Sequence, residues 1–182
     1  MDLRADRVEA LVLRTVPYGE SDLVVHLLVR ERGRLSAFAR AGQKSKRFAG
    51  ALEPFSLIET LLAERPGADL VTLREATLRE GFGGLREDLH RIAHAGFAVE
   101  LAHELSRAGQ PAEAVFDGLR DFLSVLSTGA ATSARVRALE LALLLGSGLA
   151  PELDSCARCG AEVPAGRAFF DAASGGLLDE RC

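Results

Sequence analysis

The chain has 182 residues, of which 48% are hydrophobic and 26% charged, with a formal net charge of -4. That balance suits one sizeable domain or two to three small ones and excludes large-scale disorder. No apolar run approaches the ~18 to 20 residues that cross a bilayer, and the opening Met1-Asp2-Leu3-Arg4-Ala5-Asp6 has no apolar core of the secretory kind, so a cytoplasmic protein is expected.

Residues 1–80 read as β. From Arg7 to Val16, Val8, Ala10 and Val12 alternate with Leu11 and Leu13, giving a strand with two apolar faces. The turn cluster Pro17-Tyr18-Gly19-Glu20-Ser21 leads into a β-branched and leucine-rich strand, Asp22 to Arg30. Glu31-Arg32-Gly33 predicts a tight reversal into a third strand over Arg34 to Arg40. A fourth strand fits Phe55 to Leu62 and a fifth Leu70 to Leu78, the latter preceded by the turn Arg65-Pro66-Gly67-Ala68-Asp69. Five short strands with one long polar connection match an OB-type barrel, with an SH3-like barrel as the alternative.

Over 81–149 the period changes to that of helices. Leu85, Leu89, Ile92, Ala93, Gly96, Phe97, Glu100 and Leu101 predict the apolar face of a first helix, continuing to Leu105. Gly109-Gln110-Pro111 separates it from a second, whose core face is Val115, Phe116, Leu119, Phe122, Leu123 and Leu126. Thr132 or Ser133 can cap a third helix carrying Val136, Leu139, Leu143 and Leu144, stopped by Gly146-Ser147-Gly148. Phe97, Phe116 and Phe122 are all expected in the core. The segment 150–182 is too short to bury much of a core alone and calls for a staple. The fold class is therefore α+β, with a five-stranded barrel (1–80), an all-α middle (81–149) and a small zinc-ribbon-like element (150–182).

The staple is written in the cysteines. All three fall in that last segment, as Cys156-Ala157-Arg158-Cys159 and Cys182. A C-x-x-C knuckle followed by glycine presents two thiolates to one face of a tetrahedral Zn²⁺, and Cys182 stands about one inter-knuckle spacing further on. No fourth cysteine stands within the sequence. A redox pair and three incidental thiols are the competing readings; the pair follows a helix and precedes Gly- and Pro-rich chain, unlike the strand-to-helix setting of a thioredoxin site.

One segment breaks the acidic balance. Arg30, Arg32, Arg34, Arg40, Lys44, Lys46 and Arg47 place seven of the 22 basic residues within 18 positions, with Glu31 as the only acid among them. A local cationic stretch on an anionic protein points to a surface for a polyanion, where cations give salt-dependent, largely sequence-independent affinity. Phe38, Phe48 or Tyr18 can add base stacking if they face outward. The bland alternative is a set of arginines that solvates a strand edge.

Little else suggests chemistry. His90 and His94 lie four residues apart on the first helix, near Glu87 and Asp88, but H-R-I-A-H lacks the glutamate base of a zinc hydrolase. A metal-dependent hydrolase acting on nucleic acid is the alternative function, and a purely protein-binding adaptor a third. His26 and His103 stand isolated in the sequence. There is no G-x-x-x-x-G-K loop and no G-x-S-x-G elbow.

Two phrases, Val12-Leu13-Arg14-Thr15-Val16-Pro17-Tyr18-Gly19-Glu20-Ser21-Asp22 and Lys44-Ser45-Lys46-Arg47-Phe48-Ala49-Gly50-Ala51-Leu52-Glu53-Pro54-Phe55, resemble the RecO family of bacterial recombination mediators. So does the order barrel, helices, Cys knuckle. The resemblance implies an N-terminal OB fold, a helical centre and a structural zinc site with Cys156 and Cys159 as the first knuckle and Cys182 as the start of the second. It also implies a nonenzymatic, nucleoid-associated protein that binds single- and double-stranded DNA and anneals complementary strands. Such a protein assists recombinase loading with RecR and contacts the acidic tail of single-strand-binding protein. The seven basic residues occupy the segment where that family places its DNA contacts.

Overall fold

The computed structural model describes residues 4–64, 70–164 and 168–182; the turn expected at 65–69 lies outside them. Strands β1 (Arg4–Tyr18), β2 (Asp22–Val29), β3 (Gly33–Ala39), β4 (Leu57–Glu64) and β5 (Val71–Glu80) form a closed barrel in the order β1-β2-β3-β5-β4. β1 closes onto β4 antiparallel, and β3 and β5 meet in the only parallel pairing of the barrel's described strands. This is the OB arrangement, and it removes the SH3-like alternative.

Alternation decides what each strand buries. Ala10, Val12, Leu23, Val25, Leu27, Ala37, Ile58 and Leu73 fill the interior. Leu11, Leu13, Leu28 and Leu57 point the other way and pack into a second core with the helices. A bulge interrupts β1: the β2 register passes from Val12↔Leu27 to Arg14↔His26, so Leu13 is an extra, unpaired residue. The loop 40–56 seals one barrel end by inserting Phe48, Ala51 and Leu52.

The helical layer comprises a 3-10 turn (Gly83–Glu87), α1 (Leu89–Leu105), α2 (Glu113–Thr128) and α3 (Ser133–Gly146). Asp88 caps α1 by accepting from the backbone N–H of His90 and Arg91, and Thr132 caps α3 through Arg135 N–H. All six expected residues of α2 are buried. The face expected for α1 needs correction. Its buried stripe is Ala95, Ala98, Val99 and Ala102, whereas Leu89 is 80% and Phe97 44% exposed. α1 is apolar nearly all round, so periodicity alone does not select a face. The alanine stripe wins because small side chains let helix axes approach closely.

The barrel's β2–β3 tip is sutured to the α1–α2 connection. Arg34 N–H donates to Arg107 O (3.3 Å), Gly109 N–H to Arg32 O (3.0 Å) and Ala112 N–H to Arg30 O (2.9 Å). Gly33 sits at φ +63° in this seam, and a Cβ there would overlap the carbonyl oxygens of Arg107 and Gln110. The terminal segment forms the hairpin β6 (Phe169–Asp171) and β7 (Gly176–Leu178) beside the Cys156 knuckle.

Candidate nucleic-acid interface and metal cluster

The seven basic residues divide into two groups at opposite ends of β3. Arg30 pairs with Asp117 of α2, Arg32 with Glu64 of β4, and Arg34 Nη1 donates to His103 Nε2 of α1 at 2.6 Å. These three fasten the hairpin to its surroundings. Arg40, Lys44, Lys46 and Arg47 lie at the other end, on the loop after β3. Arg40, Lys44 and Lys46 are exposed, and among the described residues none of their side chains meets a carboxylate. Among the described residues the Arg47 side chain bonds only to oxygens of Ser45, Arg40 and Arg74, and its guanidinium lies 5.3 Å from the Phe48 ring centroid.

Why this loop projects its cations follows from its anchors. Phe48 is buried in the barrel, which removes it as a stacking residue. Gln43 N–H donates to Ser21 O (3.0 Å), Ala76 N–H to Arg47 O (3.2 Å) and Ala41 N–H to the Asp22 carboxylate (2.7 Å). The apolar residues and backbone are fixed inward, leaving the charged tips outside. The exposed Arg74, on neighbouring β5, adds a cation the sequence reading missed. Only strand pairing reveals its proximity.

Between the two basic groups runs the outer face of β1–β2–β3. Arg34, Ser36 and Phe38 alternate along β3, opposite Leu28, His26 and Val24 of β2, and Arg40 follows directly after the strand. The bulge turns Arg14, Val16 and Tyr18 of β1 onto the same face. Tyr18 is 61% exposed and stands edge to face with Phe38, ring centroids 5.9 Å apart. The opposite side of the barrel is charge-compensated: Arg7 reaches Glu59 and Glu75, and Arg79 reaches Glu59. The guanidinium groups of Arg79 and Arg7 hold the Glu59 carboxyl below its usual range. Uncompensated positive charge and aromatic rings thus share one side of the barrel.

His90 and His94 do not assemble with the nearby acids. Asp88 is occupied as a helix cap, and among the described residues the one group of metal-ligating side chains is elsewhere. That group is Cys156, Cys159, Asp179 and Cys182, whose ligand atoms all lie within 4.8 Å of one another. A tetrahedral Zn²⁺ with Zn–S bonds of about 2.3 Å has ligand edges of about 3.8 Å, so three sulfurs and one carboxylate oxygen fit a metal with small contraction. The fourth position, which the sequence leaves open, is filled here by Asp179, whose Oδ2 lies 3.7 Å from Cys159 Sγ.

The local backbone builds the knuckle. Gly160 adopts φ +72° and its N–H donates to Cys156 O (2.8 Å), turning the chain back after the second cysteine. Backbone N–H groups of Asp179 and Cys159 hold the Cys156 thiol down at about 7. Cys182, hydrogen-bonded to Cys159 and Asp179, is pushed up to about 12. Four acidic groups crowded together share a negative charge that a divalent cation would neutralise.

A closed five-stranded barrel with a cationic, aromatic outer face, backed by helices and a cysteine cluster, defines an OB-fold protein built for a polyanionic partner. The comparisons agree. The family description "Recombination protein O N terminal" matches residues 1–82 and "Recombination protein O C terminal" residues 86–182. Proteins named DNA repair protein RecO are similar along nearly the whole chain. The one from Anaeromyxobacter sp. (strain K) is 51% identical over 97% of this chain and 71% of its own length. That of Myxococcus xanthus is 45% identical (96% and 71%), and that of Geobacter sulfurreducens 38% (97% and 72%). This chain belongs to the RecO family of recombination and DNA-repair proteins.

Proposed function

We propose that the chain is a DNA-binding recombination mediator that works without bond chemistry, holding single- and double-stranded DNA along the outer face of β1–β2–β3 and the loop after β3. The observation that carries this reading is the cluster Arg40, Lys44 and Lys46, free of carboxylates among the described residues, beside the exposed Tyr18 and its half-buried ring partner Phe38. OB barrels present this strand face to oligonucleotides. Cations neutralise phosphates and aromatic rings stack on bases of any sequence. Two strands whose phosphates are neutralised on one surface repel each other less, which favours annealing. Of the seven basic residues, Arg40, Lys44, Lys46 and Arg47 would contact DNA directly. Arg34 would act at the far end of the same face, and Arg30 and Arg32 would hold the hairpin in place.

The rest of the molecule takes supporting roles in this reading. Residues 1–80 supply the barrel, 81–149 the helical support and 150–182 a segment stapled by structural Zn²⁺ on Cys156, Cys159 and Cys182, with Asp179 as a further ligand. The sulfur-rich donor set favours zinc over the hard cations that prefer oxygen. The helical layer exposes Phe97 next to Arg137, which is paired with Glu140; the acidic, apolar tail of single-strand-binding protein would have to displace that carboxylate to dock there. RecR would join the complex to load recombinase in the cytoplasm, at the nucleoid.

The test is titration of a fluorescent single-stranded oligonucleotide at several salt concentrations against the Arg40→Ala/Lys44→Ala/Lys46→Ala variant. Loss of three phosphate contacts should reduce the slope of log affinity against log salt by about 2. Affinity should fall for all sequences alike, with folding unchanged. An unaltered salt slope would remove these residues from the interface.

A further inference from the structure

We propose that the cleft where the β2–β3 face meets the end of α1 is a phosphate-binding notch, gripped by Arg34, His26, His103 and Ser36. The cleft encloses about 350 Å³ and is also lined by Leu13 and Ala108, a size at the lower end of ligand pockets. It accommodates a phosphate group with part of the sugar that carries it.

Arg34 is the centre of the argument. Its neighbours Arg30 and Arg32 each have a carboxylate, but Arg34 is half-buried and its only side-chain partner among the described residues is His103. In that contact the guanidinium is the donor and His103 Nε2 the acceptor. Of the five N–H donors of arginine, one is spent and the others meet no carboxylate among the described residues. A partly enclosed cation without a counter-charge is costly, and a bidentate oxyanion is the ligand that guanidinium geometry matches.

The surrounding groups share that chemistry. The His26 ring stands edge to face with His103, centroids 6.5 Å apart, and Ser36 Oγ lies 3.1 Å from His26 Nδ1. Arg14 follows on β1, opposite His26. Burial, then the charges of His103, Arg14 and Arg34, depress the pKa of His26, and no carboxylate offsets them. The cleft is lined by no acid among the described residues; Glu100 and Glu104 line an adjoining cavity that shares Leu13 and His103 with it.

The notch also sits where a strand would need it. From Arg40, directly after β3, Phe38, Ser36 and Arg34 form a row along the strand, and the row ends against α1 and residue 108. A nucleic-acid strand following that row stops here, with one phosphate at the wall. Phosphate contacts fix register rather than sequence, so the notch would set where the strand lies on the face. This source of the phosphate rests on the proposed function; the pocket itself does not.

Imidazole NMR of the whole chain reads the site directly, because the protein has four histidines and His26→Gln and His103→Gln assign two of them. Inorganic phosphate should shift His26 and His103 but not His90 and His94, whereas chloride at equal ionic strength should not. Arg34→Ala should abolish the shift. Should that variant unfold, Arg34→Lys, which keeps the charge but not the fork, should weaken it. The Arg40→Ala/Lys44→Ala/Lys46→Ala variant should retain it. Thymidine oligonucleotides with a 5′-phosphate or a 5′-hydroxyl then separate the sources. A larger shift with the phosphorylated strand places a strand end in the notch, and equal shifts place an internal phosphate there. A response to inorganic phosphate alone keeps the notch as a site for free phosphate and removes it from the strand path. Silence of both rings towards phosphate and every oligonucleotide overturns the proposal, even if the chain binds DNA.

Discussion

Tyr18 and Phe38 meet at right angles on an otherwise cationic surface, and their chemistry differs from that of the charges around them. Stacking on a base is worth about 1–3 kcal/mol per base and depends little on salt. Tyr18→Ala should therefore weaken single-strand binding by roughly tenfold or more while leaving the salt slope unchanged, the reverse of the effect expected at Lys44. Equal loss of slope in both variants would show that the ring is not stacked. His26 gives a second test at this scale. Its folded pKa lies below the ordinary 6.5 because of burial and the neighbouring His103, Arg14 and Arg34. The unfolded chain thus takes up this proton more readily. Stability is unaffected by the group above about pH 6.5 and falls as pH drops from there towards the folded value. Denaturant unfolding at about pH 7 and pH 5 should show a smaller acid loss in His26→Gln than in the parent, and identical losses would refute the assignment.

At the level of elements, the seam between the β2–β3 tip and the α1–α2 connection is the joint on which the molecule's geometry depends. Gly33→Ala places a methyl group against two carbonyl oxygens at a left-handed backbone position. A loss of about 2–4 kcal/mol is expected in denaturant unfolding, and a near-neutral result would mean that the seam is looser than the structure shows. The elements themselves were largely legible. Strict alternation at Ala10, Val12, Leu11 and Leu13 reports both faces of β1, and the α2 stripe from Val115 to Leu126 has the right period. Sequence periodicity failed on α1 because Leu89, Ile92 and Phe97 compete with Ala95, Ala98 and Ala102, and hydrophobicity favours the larger residues. Close approach of helices favours the smaller ones. Asp179 carries no spacing rule that sets it apart from other acids, and His26 and His103 become neighbours only through the fold. The two ends of the basic segment looked continuous for the same reason: Arg34 and Arg40 are six positions apart in sequence but at opposite ends of a strand.

Across the whole molecule, positive and negative charge are sorted rather than balanced. In a chain of net charge -4, the barrel groups Arg40, Lys44 and Lys46 without carboxylates among the described residues, while Arg7, Glu59, Glu75 and Arg79 neutralise one another on β1, β4 and β5. Such polarity orients a polyanion before contact and weakens with added salt. The cysteine cluster answers a different need, holding a small hairpin that has little core of its own. Chelation of a metal held by this cluster, or Cys156→Ser, should open the 150–182 segment to protease while the barrel's unfolding transition stays in place. Unchanged protection of that segment after chelation would show that the hairpin is held by its own contacts.

Leu13, the odd residue in β1, has a consequence for how this protein tolerates change. Upstream of it, even-numbered positions point inside; downstream, even-numbered Arg14, Val16 and Tyr18 point outside. Removing that one residue would restore the simple alternation from Val12 to Arg14 with Arg14, Val16 and Tyr18 still outside and Thr15 inside, at the cost of Leu13's place in the helix-facing core. A one-residue change of length elsewhere in the paired part of β1 would instead turn the residues on one side of it to the wrong face.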